Sequence, residues 1–254
     1  MCGIFATLCA SHVSSSPSAY LETRLKNRGP DHIGTEEIVL IAGEEPLHLS
    51  LVSTVLSLRG PELVKQPLIN DESNYMLCWN GEAWRIADVV VSRNDGVAVL
   101  DALVAGSLQD RSEQGFIEAL RSIQGPFAFA FFDKRRGRLY FGRDRLGRRS
   151  LLMQISPDTF RLASIADEPH EGWKEVEADG FYSLTLRSNL AETVSSLTRH
   201  QWAQDESLVG ARGNLYFDQL VDVLLTCIDF ERWRFQRFHS RRTSQAHAAI
   251  IICR

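Results

Sequence analysis

Short apolar segments, bounded by glycine, proline and other turn-forming residues, recur along the first 186 residues and predict a strand-rich fold. The aromatic run at 127–132, a turn at 133–137 and the segment 139–141 together predict a β-hairpin. Strands are predicted at 4–8, 37–41, 47–58, 75–79, 127–132, 139–141, 151–155, 160–163 and 181–186.

Helical spacing of apolar residues occurs in three places within the same part of the chain. The first predicted helix follows a serine-rich loop, with Ser16 as its N-cap, Pro17 at its first position and Gly29 as its stop. The segments 97–104 and 116–123 predict two central helices. Strands that are interrupted by helices and then resume favour stacked sheets faced with helices.

The apolar pattern weakens after residue 186, and this change sets the predicted domain boundary. Residues 187–213 are polar and irregular and are predicted to be a linker. Residues 214–230 have the spacing of one amphipathic helix, and 231–254 form an arginine-rich tail that is predicted to be disordered or non-native. The sequence therefore predicts a single domain at 2–186, followed by these three segments.

Composition and charge exclude several classes of function. The 254-residue chain has a net charge of −4 and a pI near 6.0, so no general attraction to nucleic acid is expected. The apolar N-terminus lacks the basic flank of a signal peptide, and no apolar run reaches the roughly 18 residues of a membrane span. We therefore predict no membrane partner and a cytoplasmic location. The cysteines are scattered without a Cys-x-x-Cys pair, so neither a disulfide framework nor a metal site is predicted.

The candidate chemistry begins at Met1-Cys2-Gly3. Removal of Met1 would leave Cys2 with a free α-amino group beside its thiol, and this amine can act as the base for the thiol without a histidine. Gly3 would let the backbone approach its neighbours closely. The alternative is that these residues simply open an ordinary core strand, and the first residues alone do not decide between the two.

Four downstream motifs change the interpretation of Cys2. They are Arg28-Gly29-Pro30-Asp31, Trp79-Asn80-Gly81-Glu82, the segment 125–130 (Gly-Pro-Phe-Ala-Phe-Ala) and the segment 142–148 (Gly-Arg-Asp-Arg-Leu-Gly-Arg). Together with Cys2, in this order and at this spacing, they resemble the type 2 glutamine amidotransferase domain of asparagine synthetases. Within that group the chain is most similar to the asparagine synthetase domain-containing proteins.

This resemblance implies a fold and a reaction. The implied fold is α+β, a four-layer αββα sandwich of two mainly antiparallel sheets, as in the N-terminal-nucleophile hydrolases. The implied reaction is attack of the Cys2 thiol on the side-chain amide of glutamine, release of ammonia, and hydrolysis of the thioester to glutamate. Glutamine is the implied partner, together with a synthetase domain or protein that uses the ammonia. No cofactor is implied.

The resemblance also implies roles for individual residues. The Asn80 side chain and the Gly81 backbone N–H would form an oxyanion hole, although Asn-Gly is also a common hairpin turn. Glu82 and Asp95 would hold the α-ammonium of the substrate, although Asp95 could instead be the N-cap of the following helix. The Arg28 motif is predicted to be a structural turn and helix stop rather than a substrate contact.

Two departures from the family pattern weaken the functional prediction. Val55 stands where the family carries an arginine that binds the substrate α-carboxylate, and Arg59 is either its substitute or a surface residue. The Ser-Gly-Gly-x-Asp-Ser loop of a synthetase domain does not occur in the sequence, and the helix predicted at 214–230 resembles the start of such a domain in truncated form. Asparagine synthesis by this chain alone is therefore not expected. The alternative function is a catalytically silent regulatory or interaction domain that retains the glutaminase fold.

Overall fold

A computed structural model describes residues 1–40, 46–60, 62–70, 75–109, 113–168 and 172–202 of the chain. In chain order the elements are β1 (Gly3–Ala10), α1 (Ala19–Arg28), β2 (His32–Leu40), β3 (Leu47–Val55), β4 (Leu68–Asn70), β5 (Tyr75–Gly81), β6 (Arg85–Ile86), β7 (Val89–Val90), α2 (Asp95–Gln109), α3 (Gln114–Arg121), β8 (Ile123–Gln124), β9 (Phe127–Asp133), β10 (Arg138–Arg143), β11 (Leu152–Ile155), β12 (Thr159–Ala163), β13 (Trp173–Glu175), β14 (Gly180–Thr185), α4 (Leu190–Ser195) and β15 (Thr198–Gln201).

The first sheet has the strand order β13-β11-β12-β1-β3-β2, and all its strand pairs are antiparallel. β1 lies in the middle, where Phe5 pairs with Ala163 of β12 on one side and with Val52 of β3 on the other. Because both edges of β1 are hydrogen-bonded, the residue that precedes it is attached to a rigid part of the sheet.

The second sheet has the order β15-β14-β10-β9-β5-β4 and is also antiparallel. β9 is buried on both faces because it lies between two apolar layers. Phe127, Phe129 and Phe131 face the helices α2 and α3, whereas Ala130 and Phe132 face the first sheet. This burial explains the continuous apolar run in the sequence, and it confirms that the run is core.

The elements stack in four layers. α1 packs on the outer face of the first sheet through Leu21 and Leu25, which contact Phe5. The inner faces of the two sheets share one core that includes Ile4 and Phe141, and α2 and α3 cover the outer face of the second sheet. The architecture is the predicted αββα sandwich of two antiparallel sheets.

One sequence-based prediction at the end of an element is wrong, and the alternative interpretation of Asn80-Gly81 as a hairpin turn does not hold. The N-cap of α1 is Ser18 rather than Ser16, since the Ser18 hydroxyl accepts a hydrogen bond from the Leu21 N–H at 3.1 Å. Asn80 and Gly81 form no hairpin turn, because β5 continues through both residues and pairs them with β9. Long-range pairing thus overrides the local turn preference of Asn-Gly.

The predicted linker at 187–213 contains secondary structure in its described part. α4 and β15 follow residue 186, and β15 extends the second sheet by pairing with β14. Trp202 is buried against Phe127 and Phe181, which are both core residues. The packed part of the chain therefore extends at least to residue 202. The sequence did not predict β15, because this short edge strand consists of polar residues. The predicted helix at 214–230 and the predicted tail at 231–254 lie outside the described residues.

No helix in the described part of the chain is both long and apolar enough to cross a membrane.

Candidate active site

Cys2 lies directly before β1, at the edge where the first sheet meets the second. Its Sγ is 3.9 Å from the carbonyl oxygen of Leu56. The strand is fixed next to it by two hydrogen bonds, from the Ile4 N–H to Ser164 Oγ at 3.0 Å and from the Ser164 N–H to the Ile4 carbonyl at 2.9 Å. A Cβ on Gly3 would lie 2.5 Å from Thr54 Oγ1, so only glycine fits at that position.

Burial raises the pKa of the Cys2 thiol, while the positive charges of the N-terminal amine and Arg28 act in the opposite direction. Arg28 Nε donates to the Cys2 carbonyl at 3.2 Å, and the Met1 amine donates to the Arg28 carbonyl at 3.3 Å. Sequence analysis assigned Arg28 only to a turn. The residue does end α1, and in addition its guanidinium lies beside Cys2.

Asn80 and Gly81 approach Cys2 from the second sheet, at the end of β5. Asn80 is 1% exposed, and its Nδ2 has no hydrogen-bond partner among the described residues. A buried amide donor without a partner is costly unless something binds it. A Cβ on Gly81 would lie 2.6 Å from Phe127 Cβ and 2.7 Å from the Pro126 carbonyl oxygen, so close packing on β9 requires glycine here.

A cavity of about 60 Å³ lies between these two strand ends. All six residues that sequence analysis assigned to the site contribute to its wall: Cys2, Arg59, Asn80, Gly81, Glu82 and Asp95. Met1 also lines it. Residues that are distant in the sequence and belong to different sheets are therefore brought to one place.

Asp95 is buried, and its carboxylate is fixed by two hydrogen bonds. Its Oδ2 accepts from Trp79 Nε1 at 2.8 Å and from the Ala83 N–H at 3.0 Å. The alternative role as a helix cap is wrong, because the neighbouring Asn94 side chain caps α2 by accepting from the Val97 N–H at 3.2 Å. Asp95 thus adds a fixed negative charge to the cavity wall.

Glu82 lies across the cavity rim in an ion pair that sequence analysis did not predict. Its Oε1 is 3.0 Å from Arg149 Nη2, with side chains 46% and 19% exposed respectively. Arg149 also lines the cavity. The sequence offered only one signal for it, namely its position directly after the 142–148 motif.

Arg59 lines the cavity as well. β3 ends at Val55, so Arg59 lies on the following loop rather than on the strand. Its guanidinium donates to the carbonyl oxygens of Ala83 at 2.9 Å and Val91 at 3.4 Å. These contacts hold the Arg59 guanidinium in the cavity wall, and its role as a substitute for the missing arginine stays a prediction.

Within the described ranges, no group of three or more His, Cys, Asp or Glu side chains has a geometry that could hold a metal ion.

Comparison with known proteins gives a family for this architecture. A family model described as a glutamine amidotransferase domain matches residues 1–184. Asparagine synthetase domain-containing protein 1 of Gallus gallus is 31% identical over 80% of this chain and 32% of its own length. The protein of the same name from Homo sapiens is 30% identical, again over 80% of this chain. The chain spans about a third of the length of these two relatives (32% and 31%).

A more distant relative is an asparagine synthetase, and a solved structure shares the fold alone. Glutamine-hydrolyzing asparagine synthetase 1 of Saccharomyces cerevisiae is 28% identical over 65% of this chain and 28% of its own. The glutamine phosphoribosylpyrophosphate amidotransferase of B. subtilis superimposes with a TM-score of 0.53 and 14% identity, over 80% of this chain and 50% of its own, and shares the fold. Since the family model covers well over half of the residues, this chain belongs to the glutamine amidotransferase domain family.

Proposed function

We propose that this domain hydrolyses the side-chain amide of glutamine to glutamate and ammonia through a thioester on Cys2. The observation that carries the proposal is the meeting of the Cys2 thiol with the buried, unpaired Nδ2 of Asn80 in one cavity. A nucleophile that shares a cavity with an unsatisfied amide donor suits acyl transfer.

The proposed chemistry needs only groups of this chain and water. With Met1 removed, the Cys2 amine takes the thiol proton, and the sulfur attacks the amide carbon of glutamine. The negative charge that develops on the amide oxygen is stabilised by Asn80 Nδ2 and the Gly81 N–H. The carbon–nitrogen bond breaks, and the leaving nitrogen takes the proton from the amine and departs as ammonia. Water then attacks the thioester, which releases glutamate and restores the thiol.

The charged residues of the cavity are proposed to hold the α-amino-acid group of glutamine. Glu82 and Asp95 supply two carboxylates for the α-ammonium, and Asp95 is already oriented by Trp79 and Ala83. Arg59 places a positive charge on the same wall. Similarity to asparagine synthetase domain-containing proteins and to a glutamine-hydrolyzing asparagine synthetase supports an acceptor for the ammonia in asparagine-related synthesis, on a synthetase domain or protein. A cytoplasmic location is part of the proposal.

Removal of Met1 is the first requirement that can be tested. Met1 lines the cavity, and its amine donates a hydrogen bond to the Arg28 carbonyl. While Met1 is present, the Cys2 nitrogen is part of a peptide bond and cannot act as the base. Intact-mass measurement of the purified protein should show a chain that starts at Cys2. A fully retained methionine together with glutamate release would contradict the proposed base.

The reaction itself is tested by glutamate release from L-glutamine. We expect release by the wild type and none by Cys2→Ala. Cys9→Ala is the matched control, because Cys9 is a fully buried cysteine of β1 that does not line the cavity, and this variant should stay active. Equal release by wild type and Cys2→Ala would overturn the mechanism.

A catalytically silent regulatory domain is the second candidate. It is favoured by Val55, which offers no charge to the substrate, and by the engagement of Glu82 with Arg149. If wild type and Cys2→Ala are both folded and neither releases glutamate, this second candidate replaces the first.

A further inference from the structure

We propose that Arg149 binds the α-carboxylate of the substrate, and that its ion pair with Glu82 is exchanged for two ion pairs when a zwitterionic α-amino acid enters the cavity. The inference rests on the proposed function and deepens it. It adds a specificity-determining residue that none of the motifs contains.

The need for such a residue follows from the charges of the site. The substrate brings an ammonium and a carboxylate, and Glu82 and Asp95 offer partners only for the ammonium. The cationic side chains in the cavity wall are Arg59 and Arg149. Two arginines and two carboxylates sum to zero, which matches a ligand that carries one charge of each sign.

The two arginines differ in how much of their hydrogen-bonding capacity is already used. Arg59 is held by two backbone carbonyls, those of Ala83 and Val91, which keep it in place as part of the wall. Arg149 has a single ion-pair contact, with Glu82, and its buried Nε has no hydrogen-bond partner in the described structure. A guanidinium offers five N–H donors, so Arg149 retains donors for a carboxylate.

The position of Arg149 suits this role. Arg149 lines the same cavity as Met1 and Cys2, so its guanidinium lies near the end of the chain that carries the nucleophile. In agreement with this position, burial lowers the pKa of the Met1 amine, and the charges of Arg28 and Arg149 lower it further. Glu82 follows the proposed oxyanion donors Asn80 and Gly81 directly in sequence. An amino acid whose ammonium binds Glu82 and whose carboxylate binds Arg149 therefore has its head group beside the reacting atoms.

The exchange is energetically reasonable because the existing pair is partly solvated. Glu82 is 46% exposed in its side chain, and ion pairs of this kind contribute little on their own. A ligand that supplies both opposite charges restores a partner to each side chain. A ligand with only one charge leaves either Glu82 or Arg149 without a partner, so the pair acts as a filter for zwitterions.

Calorimetric titration of the Cys2→Ala protein tests the inference without turnover. The ligands are L-glutamine, 4-aminobutanamide, which lacks the α-carboxylate, and glutaramate, which lacks the α-ammonium. Arg149→Met should weaken binding of L-glutamine about tenfold or more, as expected for loss of a charged hydrogen bond. It should not weaken binding of 4-aminobutanamide, whose ammonium then binds Glu82 without displacing Arg149. Arg149→Lys should recover part of the loss.

Arg145→Met is the matched control, because Arg145 is an exposed arginine of the same turn that does not line this cavity. It should leave all three affinities unchanged, and thermal unfolding checks that each variant is folded. Equal weakening of L-glutamine and 4-aminobutanamide by Arg149→Met would overturn the inference, as would unchanged L-glutamine binding. So would a Cys2→Ala protein that binds none of the three ligands.

The two proposals can fail separately. If the Cys2→Ala protein shows the expected ligand pattern but the wild type releases no glutamate, the hydrolytic function is overturned and the role of Arg149 stands. If the wild type releases glutamate and Arg149→Met leaves both KM and kcat unchanged, the role of Arg149 is overturned and the hydrolytic function stands.

Discussion

The thiol of Cys2 is subject to opposing influences. Burial favours its neutral form, and the guanidinium of Arg28, bonded to the Cys2 carbonyl, favours the thiolate. The thiolate is the reactive form of cysteine, so a change in the pKa of the Cys2 thiol changes the rate of its alkylation.

Removal of Arg28 should therefore make Cys2 less reactive below its pKa. In Arg28→Met the pKa of the thiol rises because a nearby positive charge is lost, so the alkylation profile moves to higher pH. The rate of iodoacetamide labelling of Cys2, followed by peptide mass spectrometry across pH, measures this. Arg24→Met, an exposed position on the same helix, should not move the profile. The fully buried Cys78, whose pKa is raised to about 12 by burial, should stay unlabelled in both. A profile that moves to lower pH in Arg28→Met would contradict the prediction.

Asn80 gives the second prediction at this scale. Asn80→Ala should lower kcat for glutamine hydrolysis by about 10²- to 10³-fold, with little change in KM, because the lost donor acts mainly on the transition state. Its Nδ2 makes no hydrogen bond within the described structure, so no existing bond of that atom is broken. Steady-state kinetics, together with thermal unfolding, distinguishes a loss of catalysis from a loss of stability. A kcat within threefold of the wild type would exclude Asn80 as an oxyanion donor.

The sequence located some residues of the site and missed others for a physical reason. Asn80 belongs to a local motif, and a local motif can be recognised in a single sequence. Arg149 depends on the path of the turn before it, where Asp144 accepts backbone hydrogen bonds from Leu146 at 3.1 Å and Arg148 at 3.1 Å. The tertiary structure decides whether a side chain beyond that turn faces the cavity or solvent, so the sequence alone did not identify Arg149.

The elements show the same division between local and long-range control. Segments with strong apolar patterns, such as β9 and its hairpin partner β10, were predicted close to their observed bounds. The short strands β6, β7 and β8 were missed, because strands of two residues have no detectable period. The α1 cap was misplaced by two residues, since several serines precede the helix and any of them can cap it locally.

The corrected cap gives a prediction with a matched control. Ser18→Ala should lower the free energy of unfolding by about 1 kcal/mol, because the Leu21 N–H loses its acceptor. The Ser18 hydroxyl also donates to Asp167 at 2.6 Å, which can add to the loss. Ser16→Ala should change the stability by less than about 0.5 kcal/mol. Urea denaturation of the two variants measures the difference, and an equal loss in both would show that the helix begins elsewhere.

At the scale of the whole molecule, the described chain closes with elements that the sequence assigned to a linker. Leu190, Val194, Leu197 and Trp202 are all buried, and β15 forms the edge of the second sheet. The layered architecture was predictable, because the alternation of strands and helices is a property of long segments. The continuation of the packed domain beyond residue 186 was not predictable, since edge strands are short and half polar.

A chain shortened to residues 1–186 should therefore be markedly less stable than one shortened to 1–202. Each large apolar side chain removed from its buried position forfeits about 1.5–3 kcal/mol. Four such side chains amount to a large share of the stability of a typical domain. Urea denaturation of both proteins, with size-exclusion chromatography to detect association, measures the loss. Equal midpoints would show that α4 and β15 add nothing to the packed domain.

The two sheets each hold one half of the proposed chemistry. Cys2 precedes β1 of the first sheet, and Asn80 and Gly81 end β5 of the second. A chain that has formed only one sheet carries a nucleophile or its oxyanion donors, but not both. Hydrolysis would then begin only when the sandwich has closed, so ammonia production would report that folding is complete, and a partly assembled protein would spare the cell's glutamine.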